Sequence, residues 1–184
     1  MLTDFHSTLA YCLIIPVLQQ WVWEVCFPTG TQEEDNGNDM LFVDRLLEGI
    51  EKNEIPAHSP IEQRWTASSS SLMSPAHGAP EGLHSWVGII NYLPLDNEPQ
   101  RREITELFTG KYCDIMRDAG LAVNATSHWA KLERPVSLWK LIDLQLLLES
   151  RFPIKLFNDL RATYDPNNIM GSPNLDLAIG KPRS

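Results

Sequence analysis

Leu83-His84-Ser85-Trp86-Val87-Gly88-Ile89-Ile90-Asn91-Tyr92-Leu93 is the run whose reading decides the fold. Its β-branched and aromatic residues, closed by Pro94, predict the strongest strand of the chain. Upstream of it lies a Ser-, Pro- and Gly-rich loop, residues 67 to 82, too long for a simple hairpin. That loop reads either as a surface loop or as a flap near a site on the adjoining strand. Before it, Ile61-Glu62-Gln63-Arg64-Trp65-Thr66 follows the break at Pro60. With the period-two alternation of a strand, Glu62, Arg64 and Thr66 share one face and Ile61, Gln63 and Trp65 the other.

Further upstream the apolar period is helical. Leu41, Phe42, Leu46, Leu47 and Ile50 predict an amphipathic helix over 40–53, with Asp39 as N-cap and Pro56 and Pro60 at its exit. Gln20-Trp21-Val22-Trp23-Glu24-Val25-Cys26-Phe27 reads as a strand ended by Pro28 and Gly30, and the polar loop 31–38 joins the two. Residues 1–19 form a short helix or strand stopped near Pro16. Downstream of Leu93, Asp96 or Asn97 caps a long helix over 98–119 that ends at Gly120, and Leu121 to Ala125 form a short strand. The order is therefore strand, helix, strand, strand, helix, strand. That is an α+β chain with a ferredoxin-like split βαβ antiparallel sheet carrying two helices, followed by C-terminal helices at 138–150 and from Pro153 to about Tyr164. The tail from Gly171 reads as mostly coil. Residues 1–19 form an atypical N-terminal segment, 20–131 one domain portion, and 132–184 a helical segment added after the sheet.

The chain has 184 residues, 43% of them hydrophobic, enough to bury a core of ordinary size. Lys and Arg number 15 against 24 Asp and Glu, a net charge of -9, which argues against binding to nucleic acid. Cys12, Cys26 and Cys113 are far apart and form neither a CxxC pair nor a disulfide framework, and the five histidines lack helical metal spacing, so no metal is implied. The apolar run Leu9 to Leu18 is shorter than the roughly 20 residues a membrane span needs and contains Pro16. Asp4 replaces a basic n-region, and no Arg or Lys precedes Arg45, so the segment is neither a secretory signal nor a typical mitochondrial presequence.

Two groups of residues can carry chemistry. Glu62 and Arg64 stand roughly 6.5 Å apart along their strand. A carboxylate that accepts and a guanidinium that donates in a fixed fork suit a ligand rich in hydroxyl groups, while the plainer reading is a surface or cross-strand salt bridge. His128-Trp129-Ala130-Lys131 is the second group; a spacing of three places His128 and Lys131 on one side of a turn, where they read equally as surface groups.

Taken together with Met73-Ser74-Pro75-Ala76, Ser85-Trp86-Val87-Gly88-Ile89-Ile90, Arg151-Phe152-Pro153 and Tyr164-Asp165-Pro166-Asn167, these motifs resemble, in order, the L-galactono-1,4-lactone dehydrogenase and D-arabinono-1,4-lactone oxidase family of the vanillyl-alcohol oxidase superfamily. The resemblance runs from about Trp21 to Tyr164 and points to the C-terminal, substrate-domain part of such enzymes. It implies an FAD-dependent oxidation of an aldonolactone at C2 in ascorbate-type synthesis, with cytochrome c or oxygen as electron acceptor and a mitochondrial, inner-membrane location. It also implies roles: Glu62 and Arg64 bind the lactone, His128 and Lys131 line the cofactor side, and Arg64 and Lys131 stabilise charge at the C2 oxygen. A neutral His128 is a candidate acceptor for the hydroxyl proton.

The departures are equally definite. Residues 1–19 and the stretch Ile169-Met170-Gly171-Ser172-Pro173-Asn174 differ from the family pattern, and no glycine-rich phosphate cradle occurs. The expectation is a truncated product or fragment whose FAD would be bound mainly by a flavin domain supplied by a partner. The competing expectation is a non-catalytic interaction module that binds through the sheet face such a domain would cover.

Overall fold

The computed structural model describes residues 19–56, 60–131 and 138–181. The element expected within residues 1–19 lies outside the described residues, apart from Gln19. Four strands form one antiparallel sheet: β1 (Gln20–Thr31), β2 (Ile61–Ala67), β3 (Gly82–Tyr92) and β4 (Thr126–Ser127), in the order β2-β3-β1-β4. This is the expected ferredoxin-like arrangement. The run that opened the reading is the central β3, paired on both sides.

Register sorts the side chains. Trp23, Val25 and Phe27 of β1 and Val87 and Ile89 of β3 face the helices, while Glu24, Cys26, His84, Trp86 and Gly88 face the opposite side. The helical layer comprises α1 (Asn38–Lys52), α2 (Glu98–Leu107) and α3 (Cys113–Ala122), the last two joined by a π-helical turn over Phe108–Tyr112. Phe27, Phe42, Leu46, Val87, Phe108 and Met116 are all at most 1% exposed and form the centre of this core, with Phe27 stacked on Phe42 at 4.9 Å. A Cβ at Gly49 would lie 2.5 Å from Ile115 Cγ2, so α1 and α3 cross this closely only because position 49 has no side chain.

The expected long helix is present but is not uniform. Ile104, Phe108, Tyr112 and Met116, all buried, follow one another every four residues. On an ideal α-helix this spacing drifts by roughly 120° over twelve residues. The π turn, in which the Cys113 N–H donates to the Phe108 carbonyl, unwinds the helix locally and keeps these side chains facing the sheet. Asn97 caps α2 through the Gln100 N–H at 3.1 Å.

Four local expectations are corrected. The N-cap of α1 is Gly37, at φ 77°, while Asp39 lies inside the first turn and spends its carboxylate on the sheet. Gly120 does not end the helix; α3 continues to Ala122. The strand expected over 121–125 is instead β4 at Thr126–Ser127, because the chain reverses through Asn124 at φ 54° before it pairs with Cys26 and Val25. The tail is not all coil. Ser172 caps a helix, accepting the Leu175 N–H at 3.1 Å, with Pro173 in the first turn.

The expected C-terminal helices are α4 (Leu138–Arg151) and α5 (Ile154–Tyr164), and the tail helix is α6 (Pro173–Ile179). Leu148, Phe152, Ile154, Ala178 and Ile179 bury a second, smaller core against Met73 and Trp129. Arg161 of α5 locks α6 through the Asp176 carboxylate at 2.8 Å and the Gly180 carbonyl at 3.2 Å. The Arg161 hydrogen bond holds the Asp176 carboxyl below its usual range against the opposing effect of burial, with Asn168 adding to it. No helix among the described residues is long and apolar enough to cross a membrane.

Candidate active site

The period-two reading of Ile61–Thr66 divides the strand's labour. On the helix side, Gln63 Nε2 donates to Asp39 Oδ1 at 3.0 Å and Trp65 Nε1 to Asp39 Oδ2 at 3.1 Å, while Thr29 Oγ1 of β1 reaches the same Oδ2 at 2.6 Å. Burial alone would raise the Asp39 pKa, but the bonds from Thr29, Ser85, Trp65 and Gln63 together outweigh it and hold the carboxyl below its usual range. One carboxylate thus ties the start of α1 to three strands. Glu62 and Arg64 are left to the open face.

On that face the register sets up two rows. Glu62, Gly88 and Glu24 lie opposite one another across β2, β3 and β1; Arg64, Trp86, Cys26 and Thr126 form the next row, reaching β4. Arg64 does not pair with Glu62. Its Nε and Nη2 both lie 2.9 Å from Glu24 Oε1, and its guanidinium sits 4.5 Å from the centroid of the Trp86 ring. Glu62 is exposed and makes no hydrogen bond or ion pair among the described residues. Of the plainer readings, the cross-strand salt bridge forms, but from Arg64 to Glu24 of β1 and not to Glu62. Glu24, a single acid in an apolar strand and on the Cys26 face by period two, is the residue that sequence reading passed over.

His128 reaches the same indole. Its N–H donates to the Glu24 carbonyl at 2.9 Å, which holds the residue beside β1, and its ring lies 5.7 Å from that of Trp86. The Ala130 N–H donates to His128 Nδ1 at 3.0 Å, so a neutral ring presents its own N–H at Nε2. Lys131 closes a 3₁₀ turn (Trp129–Lys131) by donating its backbone N–H to the His128 carbonyl at 2.8 Å; its ammonium has no carboxylate partner among the described residues. The structure thus brings Arg64 and His128 to one aromatic ring. Glu62 stands on the same sheet face without a bond to either, and Lys131 is joined to His128 through its backbone.

Loop 67–82 folds back onto this face. Ala76 is buried against Cys26 and Trp86, and the Met73 carbonyl accepts Trp129 Nε1. Trp86 is consequently only 7% exposed, with its Nε1 bonded to Thr66 Oγ1 at 2.9 Å. Arg151, at the end of α4, donates from Nε to Thr126 Oγ1 at 3.0 Å and brings another guanidinium to the face. Burial pushes the Cys26 thiol up to about 12 despite Arg151 and Arg64 nearby. Burial likewise lowers the His84 pKa, with Arg151 and His77 adding to it, and His84 Nδ1 lies 3.3 Å from Ser68 Oγ. Among the described residues no three His, Cys, Asp or Glu side chains gather as a metal set. A cleft of about 350 Å³ beside Met73, Trp129, Phe157 and Leu175 contains none of the candidate residues.

Comparison with known proteins gives this arrangement a context. The chain is 45% identical over 159 residues to L-galactono-1,4-lactone dehydrogenase 1, mitochondrial, of Oryza sativa subsp. japonica, a match covering 86% of this chain and 27% of that protein. Identity is 44% over 155 residues to L-galactono-1,4-lactone dehydrogenase, mitochondrial, of Brassica oleracea (84% and 26%), and 42% over 155 residues to that of Arabidopsis thaliana (84% and 25%). The chain thus spans about a quarter of the length of the curated relatives it matches. Residues 17–177 match the D-arabinono-1,4-lactone oxidase family from end to end of the sheet and through the terminal helices, and the chain belongs to that family.

Proposed function

We propose that this chain is the substrate-binding portion of an FAD-dependent aldonolactone oxidoreductase, acting on L-galactono-1,4-lactone or D-arabinono-1,4-lactone. One observation carries the reading: a carboxylate with no partner among the described residues, Glu62, and a half-exposed guanidinium, Arg64, stand side by side on an open sheet face next to His128. A polyhydroxylated lactone supplies the hydroxyl donors that Glu62 needs and the oxygen acceptors that Arg64 and Lys131 need. Arg64 and Lys131 stabilise the negative charge that grows on the C2 oxygen. His128, with Nδ1 occupied, donates from Nε2 rather than taking the hydroxyl proton, which departs from the role the resemblance suggested.

FAD, when bound, accepts the hydride that leaves C2. The donors of this face, Arg64 and His128 Nε2–H, with Lys131 closing the His128 turn, suit the ring end of that cofactor, which gains negative charge on reduction. The described residues contain no glycine-rich phosphate cradle, so its nucleotide end falls to a flavin domain outside this chain. By the names of the relatives, the setting is the mitochondrion, with cytochrome c or oxygen as electron acceptor and an inner-membrane location carried over from the family resemblance.

Co-expression with a flavin-binding domain, followed by lactone-dependent reduction of cytochrome c or uptake of oxygen, tests the proposal. The expected result is turnover that Arg64→Ala lowers about 100-fold in kcat/KM, roughly 2.7 kcal/mol, the scale of one lost transition-state donor. An intact complex that ignores both lactones refutes it.

A further inference from the structure

The open face holds two carboxylates within reach of one guanidinium. Glu62 is two residues from Arg64 on the same strand; Glu24 is two strands away, about 9.6 Å across the sheet. Arg64 chooses the distant one. Three features decide this. Gly88 stands between Glu62 and Glu24, so no side chain blocks the passage over β3; a Cβ there would lie 3.7 Å from both Cβ and Cγ of Glu24. Glu24 is 17% exposed where Glu62 is open to water, and attraction strengthens as water is excluded. The route to Glu24 also lays the guanidinium over the Trp86 ring, which adds a cation–π contact.

We propose that Glu24 is a positioning residue, which holds Arg64 flat on Trp86 and by neutralising it keeps Glu62 unpaired. The inference rests on the proposed role of Arg64 and Glu62 as the lactone clamp. Its consequence is a division between the two acids. With Nε and Nη2 committed to one oxygen of Glu24, Nη1 makes no bond among the described residues and is the group left to meet a ligand oxygen. Glu62, relieved of the cation beside it, acts as a pure acceptor and selects ligands that offer a hydroxyl at that point. Without Glu24, Arg64 would turn to Glu62, and both halves of the clamp would be consumed by each other.

The test uses the full 184-residue chain, labelled with ¹⁵N, and follows the Arg64 Nε–H and Trp86 Nε1–H resonances. Glu24→Gln keeps the shape of the side chain and removes its charge; Glu24→Ala removes both; Glu62→Gln is the control. The backbone bond from His128 to Glu24 does not depend on the side chain, so β1 and the His128 turn persist in all three. The expected result is that Arg64 Nε–H leaves its parent position in both Glu24 variants as its partner changes from Glu24 to Glu62, with a shift at Trp86, and stays in place in Glu62→Gln. Titration with L-galactono-1,4-lactone should then show binding weakened about tenfold in Glu24→Gln. Resonances unchanged in both Glu24 variants, or displaced equally by Glu62→Gln, overturn the positioning role. Resonances that move as expected in a chain whose wild type ignores the lactone leave Glu24 positioning Arg64 and remove the substrate reading alone.

Discussion

Trp129 Nε1 donates to the Met73 carbonyl at 2.7 Å, across 56 residues of sequence. The bond joins the turn that carries His128 and Lys131 to the long loop before β3, and the Trp129 ring packs on Phe152, just past the end of α4, at 4.9 Å. The loop is therefore not a free flap; both of its sides are fastened. Trp129→Phe keeps the ring contact and removes the donor. The expected cost is about 1 kcal/mol in global stability. Hydrogen exchange should show faster opening of residues 69–77, with the central strand β3 unchanged.

The core under the sheet should respond on a larger scale. Phe42→Ala removes a fully buried ring stacked on Phe27 and leaves a cavity that its own helix α1, held by Asp39, is poorly placed to fill. A loss of about 3–5 kcal/mol is expected, read from the urea midpoint with unchanged slope.

Asp39 sets an acid limit on stability. Its folded pKa lies below the ordinary 3.8, so the ionised form contributes stability that is fully present above about pH 3.8 and is lost as pH falls through the folded value. Asp39→Asn should therefore be less stable than the parent at pH 6. The gap should narrow progressively below pH 3.8; a gap that stays constant down to pH 2 would contradict the assignment.

Cys26 should be inert in the folded chain. Its thiol is fully buried beneath Trp86 and Ala76 and is pushed up to about 12, so almost no thiolate exists at pH 8. Mass-spectrometric mapping after iodoacetamide treatment should find Cys26 unmodified in buffer and modified in 6 M guanidinium. Labelling of Cys26 at the rate of a small thiol in buffer would contradict the packing.

The order of elements was legible because each rests on a local period. Strand β3 carries an unbroken apolar run at 86–90 since it is covered on both sides at its centre, and Phe42, Leu46 and Ile50 repeat as a helix because only one side of α1 meets the sheet. Less could be read where distant residues decide. Strand β4 is two residues long and exists because Cys26 and Val25 offer it a partner, not because Thr126 and Ser127 favour a strand. Asp39 has the composition of an N-cap, but three donors on two strands, Thr29 of β1 and Gln63 and Trp65 of β2, compete for it. The Ser172-Pro173 start of α6 carried a legible signal, since a Ser before Pro is a common helix opening.

The open face follows the same division. The side of the sheet on which Glu62 and Arg64 stand was readable from period two. The partner of Arg64 was not, because it depends on which strand lies beyond β3 and on the absence of a side chain at Gly88. His128 and Lys131 were readable as neighbours through their spacing. That His128 would use Nδ1 on the Ala130 N–H depends on a tight turn that no residue type announces.

The π turn between α2 and α3 gives this helix a history in its geometry. A π turn is what remains when one extra residue is admitted into an α-helix without disturbing either end. Removing one residue at Gly110, which is open to space on its helix, should restore regular winding and keep both ends in phase, whereas regular α winding at the present length would turn everything beyond it by about 100°. Met116 and Ala119 would then leave the core, and β4, with His128 behind it, would be delivered out of phase with β1. The winding of this helix is therefore tied to the site on the far side of the sheet, so that a change of length at residues 108–112 other than loss of the one extra residue should be strongly selected against even though none of them approaches Arg64.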